Sequence, residues 1–311
     1  MTRKYEHVAV LMGGWSAERE VSLNSGKACA EALESVGYRV TLIDVDRRLP
    51  EVLRELKPDV CFNALHGKGG EDGTVQGILE TLQVPYTHSG VLASALAMNK
   101  AKTKLIMADA GIPVAEHRIV SRIEAAKAHP MPKPYVLKPV DEGSSVGVFI
   151  VREDHDHPPQ ELHSADWRVS ENLMAERYIA GRELTCAIMG ERTLGVTEIL
   201  PAEGLAFYDY QAKYAQGGSR HVLPAPVSPN IYELVQNLAL KAHQALGCRG
   251  ISRSDFRFDD RPNGTGELIF LEINTQPGMT GTSLVPELAG HSGLTFGELV
   301  RWIVEDASCN R

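Results

Sequence analysis

The chain has 311 residues, 43% hydrophobic and 23% charged, the balance of a globular protein with ample length for a buried core. A formal net charge of −8 gives no general pull toward nucleic acid or anionic membrane, and no apolar run is long enough to span a bilayer. The five scattered cysteines form no CxxC pair, so neither a disulfide framework nor a zinc site is expected, and a reducing cytoplasm is the simplest setting.

The opening residues lead into a short strand rather than the apolar core of a signal peptide. Val8 to Met12 reads as that strand, and Gly13-Gly14-Trp15-Ser16 as the turn after it. A helix is expected next, with Ser16 as N-cap and Glu18 in its first turn. Ala28, Ala32, Leu33 and Val36 recur at helical spacing, and Gly37 ends it. Arg39 to Val45 and Pro58 to Leu65 read as further strands, the second followed by the glycine-rich loop His66 to Gly73. A helix through Val75, Ile78, Leu79 and Leu82 and a strand from Val84 to Tyr86 complete a first unit, residues 1–88. Strands alternating with helices predict a parallel, Rossmann-like sheet with crossovers.

The middle unit, 89–182, opens with one helix from Leu92 to Ala110. Strands are expected over Tyr135–Pro139, Val146–Val151 and Leu173–Ile179, with the loop Val140–Ser145 between the first two. The polar stretch Glu153–Asp166 carries His155 and His157, which read as solvated surface. The last unit, 183–311, begins with strands at Glu183–Met189 and Leu194–Leu200. A long polar loop, Ala202–Ala225, is of a length that points to function or disorder. Ile231, Leu234, Val235, Leu238, Ala242 and Leu246 mark an amphipathic helix, and Thr295 with Glu298 is a capping box that opens the final one.

The chemistry concentrates on two predicted strands, Gly250–Phe256 and Phe270–Asn274. Glu272 and Asn274 are two residues apart and share a face, as do Arg253 and Asp255. Two carboxylates and an amide oxygen converging in this way suit Mg²⁺, and with it a nucleotide triphosphate. The plainer alternative is a solvated sheet face. Against it stand the nearby Arg253, the strand-breaking Pro277-Gly278, and the apolar Phe270, Leu271 and Ile273, which imply a buried strand. Lys138 ends an apolar strand beside the Glu142-Gly143-Ser144-Ser145-Val146-Gly147 loop, whose N–H and hydroxyl groups suit phosphate. Glu176 stands where a linker strand could meet an adenine. Glu18 could hold an ammonium group, although a glycine turn of this kind is commonly just a tight turn. His66, Glu71 and Asp72 are either catalytic neighbours or plain loop polar groups.

Five stretches in this order are together very specific: Gly13–Leu23, Leu65–Gly73, Lys138-Pro139 with Glu142–Gly147, Tyr208–Tyr214, and Asn274–Thr280. Over nearly its whole length the chain resembles the D-alanine–D-alanine ligase family of the ATP-grasp superfamily. The resemblance implies an α/β (α+β overall), three-domain ATP-grasp architecture with ATP held between the central and C-terminal domains. It implies that Lys100, Lys138 and Ser145 contact phosphates. Glu176, Arg177, Tyr178, Ile179 and Glu183 would hold adenine and ribose. Asp255, Glu272 and Asn274 would bind two Mg²⁺ ions, or Mn²⁺. Glu18 would take the ammonium of the first D-alanine, with His66 also in the substrate site, while Ser283 and Leu284 help hold the second. Ser144 and Tyr214 would link to Glu18, and Lys213 would reach the transferred phosphate from a lid loop.

The implied reaction phosphorylates one D-alanine carboxylate, and the amine of the second attacks the acyl phosphate. Arg253 and the Gly278 N–H would meet the oxyanion. The product would serve peptidoglycan precursor synthesis, in a cytoplasmic enzyme expected to be a homodimer, with no nucleic-acid or membrane partner. Trp15 and His88 depart from the smaller residues expected in their places. The Lys213-Tyr214 pair argues against the depsipeptide ligases. Two other readings remain: a ligase taking D-lactate or D-serine second, and a non-catalytic nucleotide-binding protein.

Overall fold

The computed structural model describes residues 3–143, 147–201 and 219–311. The expectations on Ser144, Ser145, Lys213 and Tyr214 lie outside these residues. Strands β1 (His7–Met12), β2 (Arg39–Asp44) and β3 (Val60–Asn63) form a parallel sheet in the order β2-β1-β3. The crossovers are α1 (Arg19–Ser35) and α2 (Leu49–Leu56), and α3 (Thr74–Leu82) follows the glycine loop. Strand β1 is buried along its whole length, as a parallel strand covered on both faces must be.

Three local expectations are corrected here. Ser16 is not the N-cap of α1: that position is Glu18, and the Ser16 hydroxyl instead donates to the His66 carbonyl at 2.6 Å. Val84–Tyr86 is not a strand: Tyr86 alone makes isolated bridges, parallel to Cys61 and antiparallel to Ser308. The expected long helix is two, α4 (Val91–Met98) and α5 (Lys100–Asp109). Asn99 between them is extended, and its side chain accepts from the Lys102 N–H, so an Asx cap restarts the helix.

The second sheet is antiparallel, in the order β4-β7-β5-β6. It comprises β4 (His117–Ser121), β5 (Tyr135–Pro139), β6 (Phe149–Val151) and β7 (Asn172–Arg177), with α6 (Arg122–Lys127) after β4. The 153–166 stretch holds only a 3₁₀ turn at Gln160–His163, and His155 and His157 are exposed as expected. The third sheet is antiparallel in the order β10-β9-β8-β11-β12. Its strands are β8 (Arg182–Met189), β9 (Arg192–Pro201), β10 (Ser219–Val222), β11 (Ile251–Phe258) and β12 (Leu268–Asn274). Helix α7 (Pro229–Ala245) precedes β11; α8 (Leu284–His291) and α9 (Phe296–Asp306) close the chain, α9 with the foreseen Thr295–Glu298 capping box.

Packing does not follow chain order. Val8, Val10, Leu33 and Phe62 share one core with Val285, Leu288, Val300 and Ile303. Ala93, Ala97 and Met107 from α4 and α5 pack into the third sheet beside Cys186, Val235 and Phe270. Each such fully buried Leu, Ile or Phe contributes roughly 1.5–3 kcal/mol.

His88 is buried edge-on to Phe62, with ring centroids 5.7 Å apart, and neither ring nitrogen has a hydrogen-bond partner. Burial, with Arg311 and His66 adding to it, pushes its pKa from the ordinary 6.5 down to about 3. The unfolded chain therefore takes up this proton first. Stability from neutral His88 is complete above pH 6.5 and is lost as pH falls from 6.5 toward 3. At about pH 4.5 the loss is roughly 2–3 kcal/mol. His88→Asn, which tolerates the positive φ of 67 at this position, removes that slope. Urea unfolding of both proteins from about pH 7.5 to 4.5 checks it: parallel curves would show that His88 is not a source of acid lability.

Candidate active site

The register of β11 on β12 sets Arg253 opposite Asn274 and Asp255 opposite Glu272, so all four share one sheet face. Just beyond, the register slips at Asp255/Phe256, a β-bulge. The bulge corrects one expectation. Leu271, expected with Phe270 and Ile273 on a mostly buried strand, lines a large cleft together with Glu272, whereas Phe270 and Ile273 are buried.

That cleft, ≈ 340 Å³, lies between the second and third sheets and is within the size range of ligand pockets. Lys100, Lys138, Glu176, Arg177, Tyr178, Ile179 and Glu183 line it, with Asp255 and Glu272. A smaller cavity, ≈ 80 Å³, opens beside it and is lined by Glu18, His66, Arg253, Asn274, Gly278, Ser283 and Leu284. Glu272 and Gly143 border both cavities. Every described residue that the family resemblance implies for the site therefore reaches one cavity or the other, and Glu272 stands at their junction.

Polar contacts fix these side chains. Asp255 accepts from Arg253 through Nε at 2.9 Å and Nη2 at 2.8 Å, from Thr185 Oγ1 at 2.6 Å, and from Asn274 Nδ2 at 3.3 Å. Arg253 thus braces an acid as well as lining the smaller cavity. Lys100 Nζ lies 3.4 Å from Glu272 and donates to the Glu142 carbonyl at 2.5 Å. The Lys100 N–H bonds the Val140 carbonyl at 2.9 Å, which ties the start of α5 to the loop after β5. Lys138 Nζ lies 2.6 Å from Glu176 Oε2, and Lys104 Nζ bonds Oε1. Burial works against charge on Glu176, yet Lys138 and Lys104 outweigh it and hold the carboxyl at about 2.

Around the smaller cavity, His66 has Glu71 Oε1 at 3.0 Å on Nδ1 and Ser25 Oγ at 3.1 Å on Nε2. Asp72 accepts from the Gly69 and Thr74 N–H groups, so it shapes the loop. The Glu18 carboxylate lies so near the backbone of that loop that a Cβ on Gly67 would come within 2.6 Å of Oε2. Lys68 on the same loop pairs with Glu142 at 2.6 Å. Thr280 N–H donates to Ser283 Oγ at 2.9 Å, which orders the turn after Gly278. Trp15 is half exposed above Gly69, and His88 lines neither cavity.

Two cationic residues escaped the sequence reading. Arg257 lies two residues beyond Asp255 on the same strand face. It donates to the Ile179 and Gly181 carbonyls at 3.1 and 2.8 Å and so shapes the segment after β7. Gly181 there has φ +90, and a Cβ would lie 2.1 Å from the Phe258 carbonyl oxygen, so no other residue fits. The second is Lys104, one helical turn after Lys100.

The oxygen donors at the junction fit a hard divalent cation. No group of three or more His, Cys, Asp or Glu among the described residues is placed to hold a metal. Two acids and an amide instead suit an ion that completes its shell with water and phosphate oxygens. No helix among the described residues is long and apolar enough to cross a membrane.

Comparison with known proteins agrees with this geometry. Residues 106–305 match the family model "D-ala D-ala ligase C-terminus", and residues 49–89 match "D-ala D-ala ligase N-terminus". A D-alanine–D-alanine ligase of Sinorhizobium medicae is 67% identical over 306 residues, covering 98% of this chain and 99% of its own. D-alanine–D-alanine ligase B of Mesorhizobium japonicum is 64% identical over 308 residues, covering 99% and 100%. The crystal structure of D-alanine–D-alanine ligase from Bacillus anthracis superposes with a TM-score of 0.79 at 32% identity, covering 97% of each chain. The same enzyme complexed with ATP gives 0.77 at 29%, again covering 97% of each chain.

Proposed function

The chain belongs to the D-alanine–D-alanine ligase family and is an ATP-dependent, ADP-forming ligase that joins two D-alanines; on that premise we propose which of its residues bind and react. The dipeptide serves peptidoglycan synthesis. The observation that carries the assignment is the meeting of a nucleotide-sized cleft with a small, acid-lined cavity at Glu272.

In this reading ATP fills the cleft. Base and ribose lie against Glu176–Ile179, Glu183 and Leu271, and the phosphates lie toward Lys100, with Lys138, held beside Glu176, between the base and the phosphates. The carboxylates of Asp255 and Glu272 and the amide oxygen of Asn274 would hold Mg²⁺, two ions in the reading taken from the family. When bound, the metal neutralises charge on the phosphates. Lys100, which already pairs with Glu272, contributes positive charge to the same place.

The smaller cavity takes D-alanine. Glu18 receives the ammonium of the first, and the His66–Glu71 pair stiffens the wall beside it. Its carboxylate then faces the phosphate end of the cleft across Glu272. A carboxylate is a poor acyl donor because oxide is a poor leaving group. Transfer of the terminal phosphoryl group gives an acyl phosphate and ADP. The second D-alanine enters near Ser283 and Leu284, and its amine attacks the acyl carbon. Arg253, which lines that cavity, and the Gly278 N–H stabilise the oxyanion, and phosphate leaves. The roles of Ser144, Ser145, Lys213 and Tyr214 rest on the sequence motifs alone. The three-domain division at 88 and 182, the homodimer and the cytoplasmic setting belong to the same proposal.

Phosphate release from ATP and Mg²⁺ tests the reading, with D-alanine, D-serine and D-lactate offered alone and as pairs with D-alanine. Release with D-alanine alone, and alanyl-alanine by mass, is the expected result. Release only when D-lactate or D-serine joins D-alanine would replace the second substrate, and silence in every mixture would overturn the assignment.

A further inference from the structure

Helix α5 carries Lys100 and Lys104 one turn apart on a single face. Lys100 reaches Glu272 at the junction of the two cavities. Lys104 reaches Glu176, about one helical pitch away along the cleft wall. Its side chain is fully buried and lines neither cavity, so it cannot touch a bound nucleotide. A lysine in such a place is rare unless it is paired, and this one is paired with a carboxylate that does line the cleft.

The geometry divides Glu176 between two cations. Lys104 binds Oε1 from behind, and Lys138 holds Oε2 at 2.6 Å from the cleft side. Glu176 sits on β7 directly opposite Val136 of β5, with Lys138 two residues further along β5 on the same face. Glu176 and Lys138 therefore offer the cleft an acceptor beside a donor. Adenine presents the complementary pair, the N6 amino donor beside the N7 acceptor, whereas a 6-oxopurine presents two acceptors.

We propose that Lys104 is a positioning residue for nucleotide selection, which anchors the Glu176 carboxylate from behind so that Glu176 and Lys138 together accept adenine over 6-oxopurines. This rests on the reading that Glu176 meets the base of ATP. Without Lys104, one oxygen of a buried carboxylate loses its partner. Glu176 then swings toward Lys138, and the acceptor–donor edge is lost.

The test compares ATP with ITP, whose base carries oxygen in place of the 6-amino group, using full-length protein with Lys104→Met, Lys104→Gln and Glu176→Gln. For Lys104→Met the expected result is a drop of at least about tenfold in kcat/KM for ATP, carried by KM rather than kcat. The ATP-to-ITP ratio of kcat/KM contracts at least about fivefold, and the KM for D-alanine stays within about twofold. Lys104→Gln, which keeps a donor without the charge, falls between Lys104→Met and wild type and serves if Lys104→Met does not fold. A ratio that contracts in Glu176→Gln but not in either Lys104 variant would overturn the role of Lys104 and leave Glu176 at the base. A ratio unmoved in Glu176→Gln would overturn the placement of Glu176, and the proposal with it.

Discussion

Glu272→Gln lowers ligation by at least about 10³-fold while the protein stays folded, a barrier increase of about 4 kcal/mol. Glu272 borders both cavities, lies opposite Asp255 in the strand register and faces Lys100 at 3.4 Å. Glutamine keeps the shape and one carbonyl oxygen but removes the charge. One hard ligand of the proposed metal is weakened, and Lys100 loses its counter-charge beside the proposed phosphate site. The side chain is 26% exposed, so the effect on stability is small beside the effect on rate. ADP formation at saturating ATP and D-alanine, titrated with Mg²⁺, measures the loss, and thermal unfolding verifies the fold. Activity within about threefold of wild type, with unchanged Mg²⁺ dependence, would remove Glu272 from the reaction.

Arg253→Met lowers dipeptide formation by about 10²–10³-fold, as loss of an oxyanion donor does. It also removes the bidentate partner of Asp255, a carboxylate only 8% exposed, which costs up to about 3–5 kcal/mol of stability. The two effects separate in the products. If Arg253 acts on the second step, ATP and D-alanine still yield ADP and phosphate, because water takes over the acyl phosphate, and the ratio of phosphate to dipeptide rises well above one. Measuring both products in one reaction at low temperature reads that ratio on folded protein. A ratio held near one, with both products reduced together, would assign Arg253 to holding Asp255 and the first step alone.

Much of the candidate site was legible because its residues stand at strand spacing. Glu272 and Asn274, like Arg253 and Asp255, had to share faces whichever way the sheet was built, and the observed register only made the two pairs meet. The long helix was misread for a physical reason. Ala, Leu, Met and Lys run on through Asn99 with good helix propensity, and only the Asx cap breaks them. Leu271 was misread because a bulge depends on the partner strand, which one-dimensional alternation cannot contain. Lys104 escaped for a third reason. A lysine one turn from another reads as a solvated helix face, and nothing local shows that a glutamate from residue 176 awaits it in the interior. Trp15 and His88 were flagged together as unusual, yet one is half exposed and the other fully enclosed.

The core shared by β1, α1, α8 and α9 has a consequence for biosynthesis. While the ribosome is still making the middle of the chain, β1 and α1 present Val8, Val10, Leu33 and Phe62 with no α9 to cover them. Tyr5 likewise waits for the Ala307 carbonyl, its hydrogen-bond partner some three hundred residues later at 2.7 Å. The first ninety or so residues therefore emerge as a sticky half-core, the kind of nascent segment that chaperones shield. Loop closure over this separation makes assembly slow. The wall that carries Glu18 and the wall that carries Gly278 come together only near the end of translation, so this enzyme cannot begin work as a growing chain.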